Sequence, residues 1–262
     1  MTRVVKIGGR AQNDPHLPSA LAAAAQDASQ GPGHTLCIVH GGGDEVSALQ
    51  RRLGLEPQFR NGRRVTSTED LEIVRMVLSG TINKRLVAAL LSQGIRAVGI
   101  SGEDGLLFTA PVTEGATMGR VGGTVTVDAT IVRLLLAAGF VPVISPLARD
   151  AGDSAGAGLN VNGDDAAAAL AASLGADELV LVADVPGVIE DGAVIPQLDA
   201  NGIQSLIARG IAAGGMVAKL EAGLAALRGG VATVRISALG GITDRAVGTR
   251  LVLSLTATRG AT

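Results

Sequence analysis

Leu36-Cys37-Ile38-Val39-His40-Gly41-Gly42-Gly43-Asp44-Glu45 joins an apolar, β-branched run to three consecutive glycines and then to the acidic opening of a helical stretch. A strand that is apolar throughout, rather than alternating, belongs in a sheet covered on both faces. Successive glycine amides at a helix N-terminus make an anion site, because the free N–H groups and the helix dipole both favour negative charge. A plain strand-to-helix turn needs fewer glycines. The spacing is neither G-x-G-x-x-G nor G-x-x-x-x-G-K-[ST], so the dinucleotide and P-loop readings lack their fingerprints.

Outward from this stretch the same grammar repeats. Apolar runs at 4–7, 97–100, 141–144, 179–182 and 233–236 read as further strands, and helical patterns at 17–29, 45–53, 71–93, 130–138, 166–174 and 217–227 lie between most of them. This alternation predicts an α/β fold, a three-layer αβα sandwich with a mainly parallel central sheet. Segments 106–127 and 185–195 depart from it and read as antiparallel hairpins that form lids, the second turned by Glu190-Asp191-Gly192. The glycine-rich stretch 152–158 reads as a loop within the sheet. No internal repeat is present. One domain spanning 1–262 is expected, its residues to about 175 forming one lobe and those from 176 the other.

Composition narrows the function classes. With 262 residues, 47% of them hydrophobic, the chain buries a full core. Its 22 Lys+Arg against 24 Asp+Glu give a net charge of -2, so no global field gathers nucleic acid or an anionic membrane, and any anion site is local. Cys37, the single cysteine, sits in an apolar run, which excludes an internal disulfide and reads as a buried, inert thiol. The first apolar run is broken by Lys6 and stopped by Gly8 and Gly9, too short for a signal sequence, and no apolar stretch reaches a membrane span. A cytoplasmic protein is expected.

Several residues point to chemistry. Lys6 stands inside an apolar strand just before Gly8-Gly9, so its ammonium needs an anionic partner or an open strand end; an edge lysine that snorkels to water is the other reading. Asn61-Gly62-Arg63-Arg64-Val65-Thr66 ends before a helix with a Thr66–Glu69 capping box. An arginine held at such an entry grips a carboxylate in bidentate fashion, or else both arginines are solvated in a loop. Asn160-Val161-Asn162-Gly163-Asp164-Asp165 opens an alanine-rich helix with more capping groups than one helix start uses. Lys219 lies in the first turns of another helix, where a cation gains nothing from the dipole; an anion nearby or a salt bridge to Glu221 or another carboxylate accounts for it.

Taken in order, Lys6-Ile7-Gly8-Gly9, His40-Gly41-Gly42-Gly43, Asn61-Gly62-Arg63-Arg64-Val65-Thr66, Asn160-Val161-Asn162-Gly163-Asp164 and Gly215-Met216-Val217-Ala218-Lys219 resemble the amino acid kinase family. Ser101-Gly102-Glu103-Asp104-Gly105 and Ala183-Asp184-Val185-Pro186-Gly187 add to a likeness that runs from Val4 to about Leu253. The resemblance implies that Lys6 and Lys219 stabilise the transferring phosphoryl group and that Asp164 holds both lysines. It implies that Gly42, Gly43, Arg64 and Asn160 bind N-acetyl-L-glutamate, with Arg64 on the α-carboxylate. Nucleotide contacts are implied for Gly8, Gly9, the stretch Asp184-Val185-Pro186-Gly187-Val188-Ile189 and the loop Ile211-Ala212-Ala213. ATP would arrive as its Mg²⁺ complex, with no metal site of the protein's own. A homodimer is implied too, since no helical extension of the kind carried by hexameric, arginine-inhibited relatives precedes Val4.

The implied reaction, in arginine biosynthesis, moves the γ-phosphate of ATP onto the side-chain carboxylate of N-acetyl-L-glutamate. That carboxylate is already ionised at neutral pH, so no general base is required and the scarcity of histidine is no obstacle. Gly163 departs from the alanine common in the family, and the fit around Arg10 and Asp44 is loose; neither removes an assigned charge. The nearest rival reading is a kinase of the same fold acting on 2-aminoadipate or glutamate carried on a small acidic protein in lysine or ornithine synthesis, for which Arg51, Arg52, Arg60, Arg63 and Arg64 are the scattered docking candidates. A carbamate or nucleoside monophosphate kinase fits the Arg64 and Asn160 motifs less well, and a non-catalytic sensor has no use for paired lysines.

Overall fold

The computed structural model describes residues 1–29, 34–60, 62–153, 155 and 157–254. Asn61, Ser154 and Gly156 of the segments discussed above lie outside the described residues. An eight-stranded sheet forms the middle layer, in the order Gln197–Leu198, Thr249–Leu251, Thr233–Ser237, Glu178–Val182, Thr2–Ile7, Thr35–His40, Val141–Ser145, Ala97–Ser101. All its neighbours are parallel except Thr233–Ser237 with Thr249–Leu251. The six strands expected from apolar runs are all in this sheet.

The strands are continuously apolar because each face has its own core. Val4, Cys37, Val39, Leu179, Leu181 and Ile236 pack on one side with the helices Gly163–Leu174 and Gly215–Arg228, while Val5, Ile7, Ile38, Val180 and Val182 pack on the other with Leu17–Ser29. Strand side chains alternate faces. Lys6 therefore shares the face of Val4 and points toward the helices that carry Asp164 and Lys219. Cys37 is fully buried, and burial pushes its thiol pKa up, as an inert core residue requires.

Local details correct several expectations. The capping box before Thr68–Arg75 is Ser67 with Asp70, one residue later than Thr66 with Glu69, because Thr66 is fully buried and its hydroxyl is taken by Arg64 O (3.1 Å). The helix read as 71–93 is interrupted at Met76–Ile82 by a π-helical segment. There Ser79 Oγ meets Ser145 Oγ at 2.7 Å, and the buried Asn83 next to it donates to Val143 O at 2.8 Å, so the wider turn exchanges helix regularity for bonds to the sheet. The 106–127 segment supplies Phe108–Ala110 and Thr126–Val127 to a separate four-stranded sheet completed by Leu147–Asp150 and Gly158–Asn160. The 152–158 loop joins the last two strands, which are antiparallel, so it belongs to this small sheet and not to the main one.

The other hairpin forms where expected: Ile189–Glu190 pairs with Ala193–Val194, and Asp191 and Gly192 adopt φ of 51° and 80° as a tight two-residue turn demands. A third hairpin, Phe59–Arg60 with Arg63–Arg64, was not legible as strands.

Near the amino ends of the central strands, Glu178 accepts from Arg3 Nε (2.8 Å) and Arg235 Nε (2.7 Å), all three side chains being buried. Each arginine also donates to carbonyls, Arg3 to Ile242 O and Arg235 to Gly241 O, both at 2.8 Å. Removing the shared carboxylate strands two cations. Glu178→Ala is expected to destabilise the protein by about 3–5 kcal/mol, read as a lower urea midpoint with an unchanged slope.

Candidate active site

The site is assembled at the carboxyl end of the Thr2–Ile7 strand. Asn162 caps the helix Gly163–Leu174 by accepting from Asp164 N (2.8 Å) and Asp165 N (3.2 Å), which fixes Asp164 in the first turn. The Asp164 carboxylate lies 2.9 Å from Lys6 Nζ and accepts from Lys219 Nζ with both oxygens at 3.1 Å. Neither lysine snorkels to water and Glu221 is not the partner of Lys219.

Burial pushes the Asp164 carboxyl up, but the ammonium groups of Lys6 and Lys219 outweigh it and hold its pKa below the usual carboxylate value. Lys219 is lowered by burial and by the charge of Lys6, against the opposing pull of Asp164. Two cations on one anion leave an excess positive charge in a poorly solvated place. That excess is the local anion site which the net charge of the chain does not provide.

Glycines keep the approach to it open. A Cβ on Gly8 would run into Lys6 Nζ and stand 3.8 Å from Lys219 Nζ; one on Gly9, at φ +58°, would fall 2.8 Å from both carboxylate oxygens of Asp184. Asp184 is itself tied back by Arg10 N (2.9 Å). Gly8, Gly9, Asp184, Val185, Gly215 and Lys219 border a cavity of about 330 Å³. Pro186, Gly187, Val188, Ile189, Ile211, Ala212 and Ala213 do not line it. Val188 and Ala212 are buried in the core, and Ile189 and Ile211 are exposed.

A second cavity, of about 190 Å³, is lined by Gly42, Gly43, Arg64 and Asn160 together with apolar residues that include Val46 and Leu78. Arg64 is buried and not a solvated loop residue. Its Nη2 donates to Gly43 O (2.8 Å) and Ser47 Oγ (2.7 Å), Nη1 donates to Gln50 Oε1, and the guanidinium lies 4.7 Å from the Phe59 ring centre. Three of its five N–H donors are thus engaged within the protein. Asn160 Nδ2 donates to Thr66 Oγ1 at 3.1 Å, which leaves its carbonyl for a ligand N–H. A third cavity of about 380 Å³ shares Gly42, Gly43 and Gly62 with the second and Gly9 and Gly215 with the first, joining them into one cleft. A hollow of about 550 Å³ on the alanine-rich helix faces contains neither lysine and is separate from the chemistry.

Sequence reasoning missed the residues that hold the site: Ser47 and Gln50 on Arg64, Thr66 on Asn160, and Gln12 and His40 under the glycine turn. His40 is fully buried and lowered to about 4 by burial; its Nδ1 donates to Gly41 O (2.9 Å) and Asn83 Nδ2 donates to its Nε2 (3.2 Å). It is a neutral scaffold group, not an acid or base.

An αβα sandwich that brings two ammonium groups onto one buried carboxylate, between a small polar-ended cavity and a larger glycine-bordered one, is built as a phosphotransferase. The chain belongs to the amino acid kinase family, which its residues 1–237 match. It is 45% identical over 243 residues to an acetylglutamate kinase from Chloroflexus aurantiacus, covering 92% of this chain and 93% of that one. Among solved structures it resembles smu.665 from Streptococcus mutans UA159 (TM-score 0.85, 27% identity, 97% of this chain and 99% of that one). It also resembles the N-acetylglutamate synthase from Neisseria gonorrhoeae solved with coenzyme A and N-acetyl-glutamate (TM-score 0.80, 29% identity, 97% of this chain and 60% of that one).

The lowered Lys219 fixes the sign of a pH dependence. A lysine whose pKa lies below its ordinary value loses its proton earlier as pH rises. The alkaline limb of a kcat/KM–pH profile, which reports the free enzyme, is expected below the ordinary lysine range of about 10.4, and Lys219→Arg is expected to move that limb upward.

Proposed function

We propose that this chain transfers the γ-phosphate of ATP to the side-chain carboxylate of N-acetyl-L-glutamate, giving N-acetyl-L-glutamyl 5-phosphate and ADP, a step of arginine biosynthesis. The observation that carries the reading is the Lys6–Asp164–Lys219 cluster in a chain whose cavities are bordered by Gly8, Gly9 and Lys219 on the one hand and by Arg64 and Asn160 on the other. The identity to acetylglutamate kinases over most of the chain supports the choice of acceptor.

In this reading the acyl amino acid occupies the 190 Å³ cavity, its α-carboxylate on Arg64, its amide N–H toward Asn160 and its acetyl group among the apolar residues. The ATP phosphates lie over Gly8 and Gly9, and Mg²⁺ travels with them, as it does in sites that hold it through substrate phosphates. One carboxylate oxygen attacks the γ-phosphorus as the bond to the β-γ bridging oxygen breaks; ADP leaves with that electron pair and no proton needs to move. Lys6 and Lys219 neutralise charge on the transferring group, while Asp164 keeps both aimed. Residues to about 175 bind the acceptor and those from 176, with Gly8 and Gly9, the nucleotide, with one lysine from each part. Arg64, buried and engaged, is no part of a docking surface.

We also assign a homodimer and a cytoplasmic setting. The Ala97–Ser101 strand ends the main sheet, and Met76, Leu91, Leu106 and Leu134 on the elements around it are 55–65% exposed. Among the described residues no helix is long and apolar enough to cross a membrane. Leu134→Glu with Leu91→Lys is expected to halve the mass measured by light scattering on a sizing column; an unchanged mass rejects this interface.

An ATP-dependent hydroxamate assay with N-acetylglutamate, N-acetylaspartate, glutamate and 2-aminoadipate tests the substrate. N-acetylglutamate is expected to be preferred, with Lys219→Ala or Lys6→Ala lowering kcat about 10²–10³-fold, the scale for losing one transition-state charge contact. Arg64→Ala is expected to raise KM for the acceptor roughly 10- to 100-fold, the worth of a charge-assisted hydrogen bond. Wild-type turnover in Lys219→Ala would remove the phosphoryl role, and an unchanged acceptor KM in Arg64→Ala would remove the clamp.

A further inference from the structure

Three consecutive glycines give the turn 41–43 the greatest backbone freedom a chain can have, so something outside the turn must hold it. Gly41 N donates to Ile7 O (2.8 Å), and Gly43 O accepts from Ser47 Oγ (3.0 Å) and Arg64 Nη2 (2.8 Å). Between these two anchors lies the Gly41–Gly42 peptide, and Gly42 at φ +152° is in a conformation that side chains rarely adopt. A Cβ there would collide with Ile82 and lie 2.6 Å from Leu78 Cδ2.

The group that meets this peptide is Gln12, from the short 3₁₀ turn Gly9–Asn13 that follows the first strand. Gln12 is polar yet only 7% exposed. Oriented with Nε2 toward Gly41 O and Oε1 toward Gly42 N, its amide pairs with both, at 3.1 Å and 3.0 Å. The opposite orientation would set oxygen against oxygen and NH₂ against N–H, leaving two buried pairs unmet. Gly41 O also receives His40 Nδ1, so one carbonyl is held from the strand side by His40 and from the neighbouring glycine turn by Gln12. Gln12 borders the middle cavity of the cleft together with Gly9, Gly42 and Gly43.

We propose that Gln12 is a positioning residue for the phosphoryl-transfer site. Its buried side-chain amide clamps the Gly41–Gly42 peptide and so fixes the second glycine turn against the first. The clamp sets Gly43, whose carbonyl in turn holds Arg64, and thereby the distance between the acceptor pocket and the lysines. In its kinetic consequence the inference rests on the proposed carboxylate phosphorylation; the clamp itself does not.

The test uses the full chain and Gln12→Met, which fills a similar volume with no hydrogen-bonding amide. Gln12→Leu serves as a second apolar variant. Amide hydrogen exchange of the peptide covering the glycine turn is measured by mass spectrometry alongside kcat, KM for each substrate and Tm. The expected result is exchange in that peptide at least about tenfold faster, with the strands elsewhere unchanged, because opening of a locally anchored turn is governed by its own few bonds. With it, kcat is expected to fall about tenfold or more while KM for ATP stays within about twofold, as for loss of an interaction made in the transition state.

Unchanged exchange at the turn in both variants overturns the clamp whatever the activity. Faster exchange with wild-type kcat overturns its positioning role, as does a loss of activity that tracks only a lower Tm. A wild-type protein that does not phosphorylate N-acetylglutamate refutes the functional reading instead, and the exchange measurement still decides whether Gln12 clamps the turn.

Discussion

One carboxylate between two ammonium groups governs the rest of the molecule. Asp164 is almost wholly buried, and without Lys6 and Lys219 its charge would have no place there. The converse holds equally, since each lysine is out of water and neither is tolerable without the shared anion. The geometry around the trio follows from that mutual need. Asn162 caps the helix so that Asp164 falls in its first turn, strand parity sends Lys6 to the same face, and Gly8 leaves room where any side chain would close the gap. The trio carries one positive charge in excess.

The chemistry asks little else of the protein. A carboxylate acceptor needs no base, and the one histidine near the site is kept neutral by burial and used as a prop for a carbonyl. Precision comes instead from groups around the reacting center. Arg64 is fixed by a glutamine, a serine, a carbonyl and a phenylalanine face.

What was legible in the sequence was local. Continuous apolar runs marked the six longer strands of the main sheet, because a strand buried on both sides has no polar register to obscure it. Lys6, Asp164, Lys219, Arg64 and Asn160 stood out since each breaks a local rule: a cation in an apolar strand, capping groups beyond need, a cation at the wrong end of a helix. The missing parts depend on distant partners. That Lys219 answers to Asp164 and not Glu221 is decided by the packing of two helices, 55 residues apart at the contact. Gln12 carries no local signal, and its part emerges only with the turn it meets in place. Two-residue strands such as Phe59–Arg60 are too short for any period to register, and the helix Ala200–Ala208 went unnoticed in sequence of mixed polarity. The capping box slipped by one position because Thr66 and Ser67 are equivalent on paper and burial alone separates them.

The first strand is hydrogen-bonded along its length to Thr35–His40 on one side and Glu178–Val182 on the other, so the earlier and later parts of the chain share one uninterrupted sheet. Separating strands in such a sheet would break its backbone hydrogen-bond ladders. Adaptation to a different acceptor is therefore left to the peripheral hairpins and the walls of the small cavity, while the phosphoryl machinery stays put. Such separation lets a fold acquire new substrates by exchanging its trim rather than its engine.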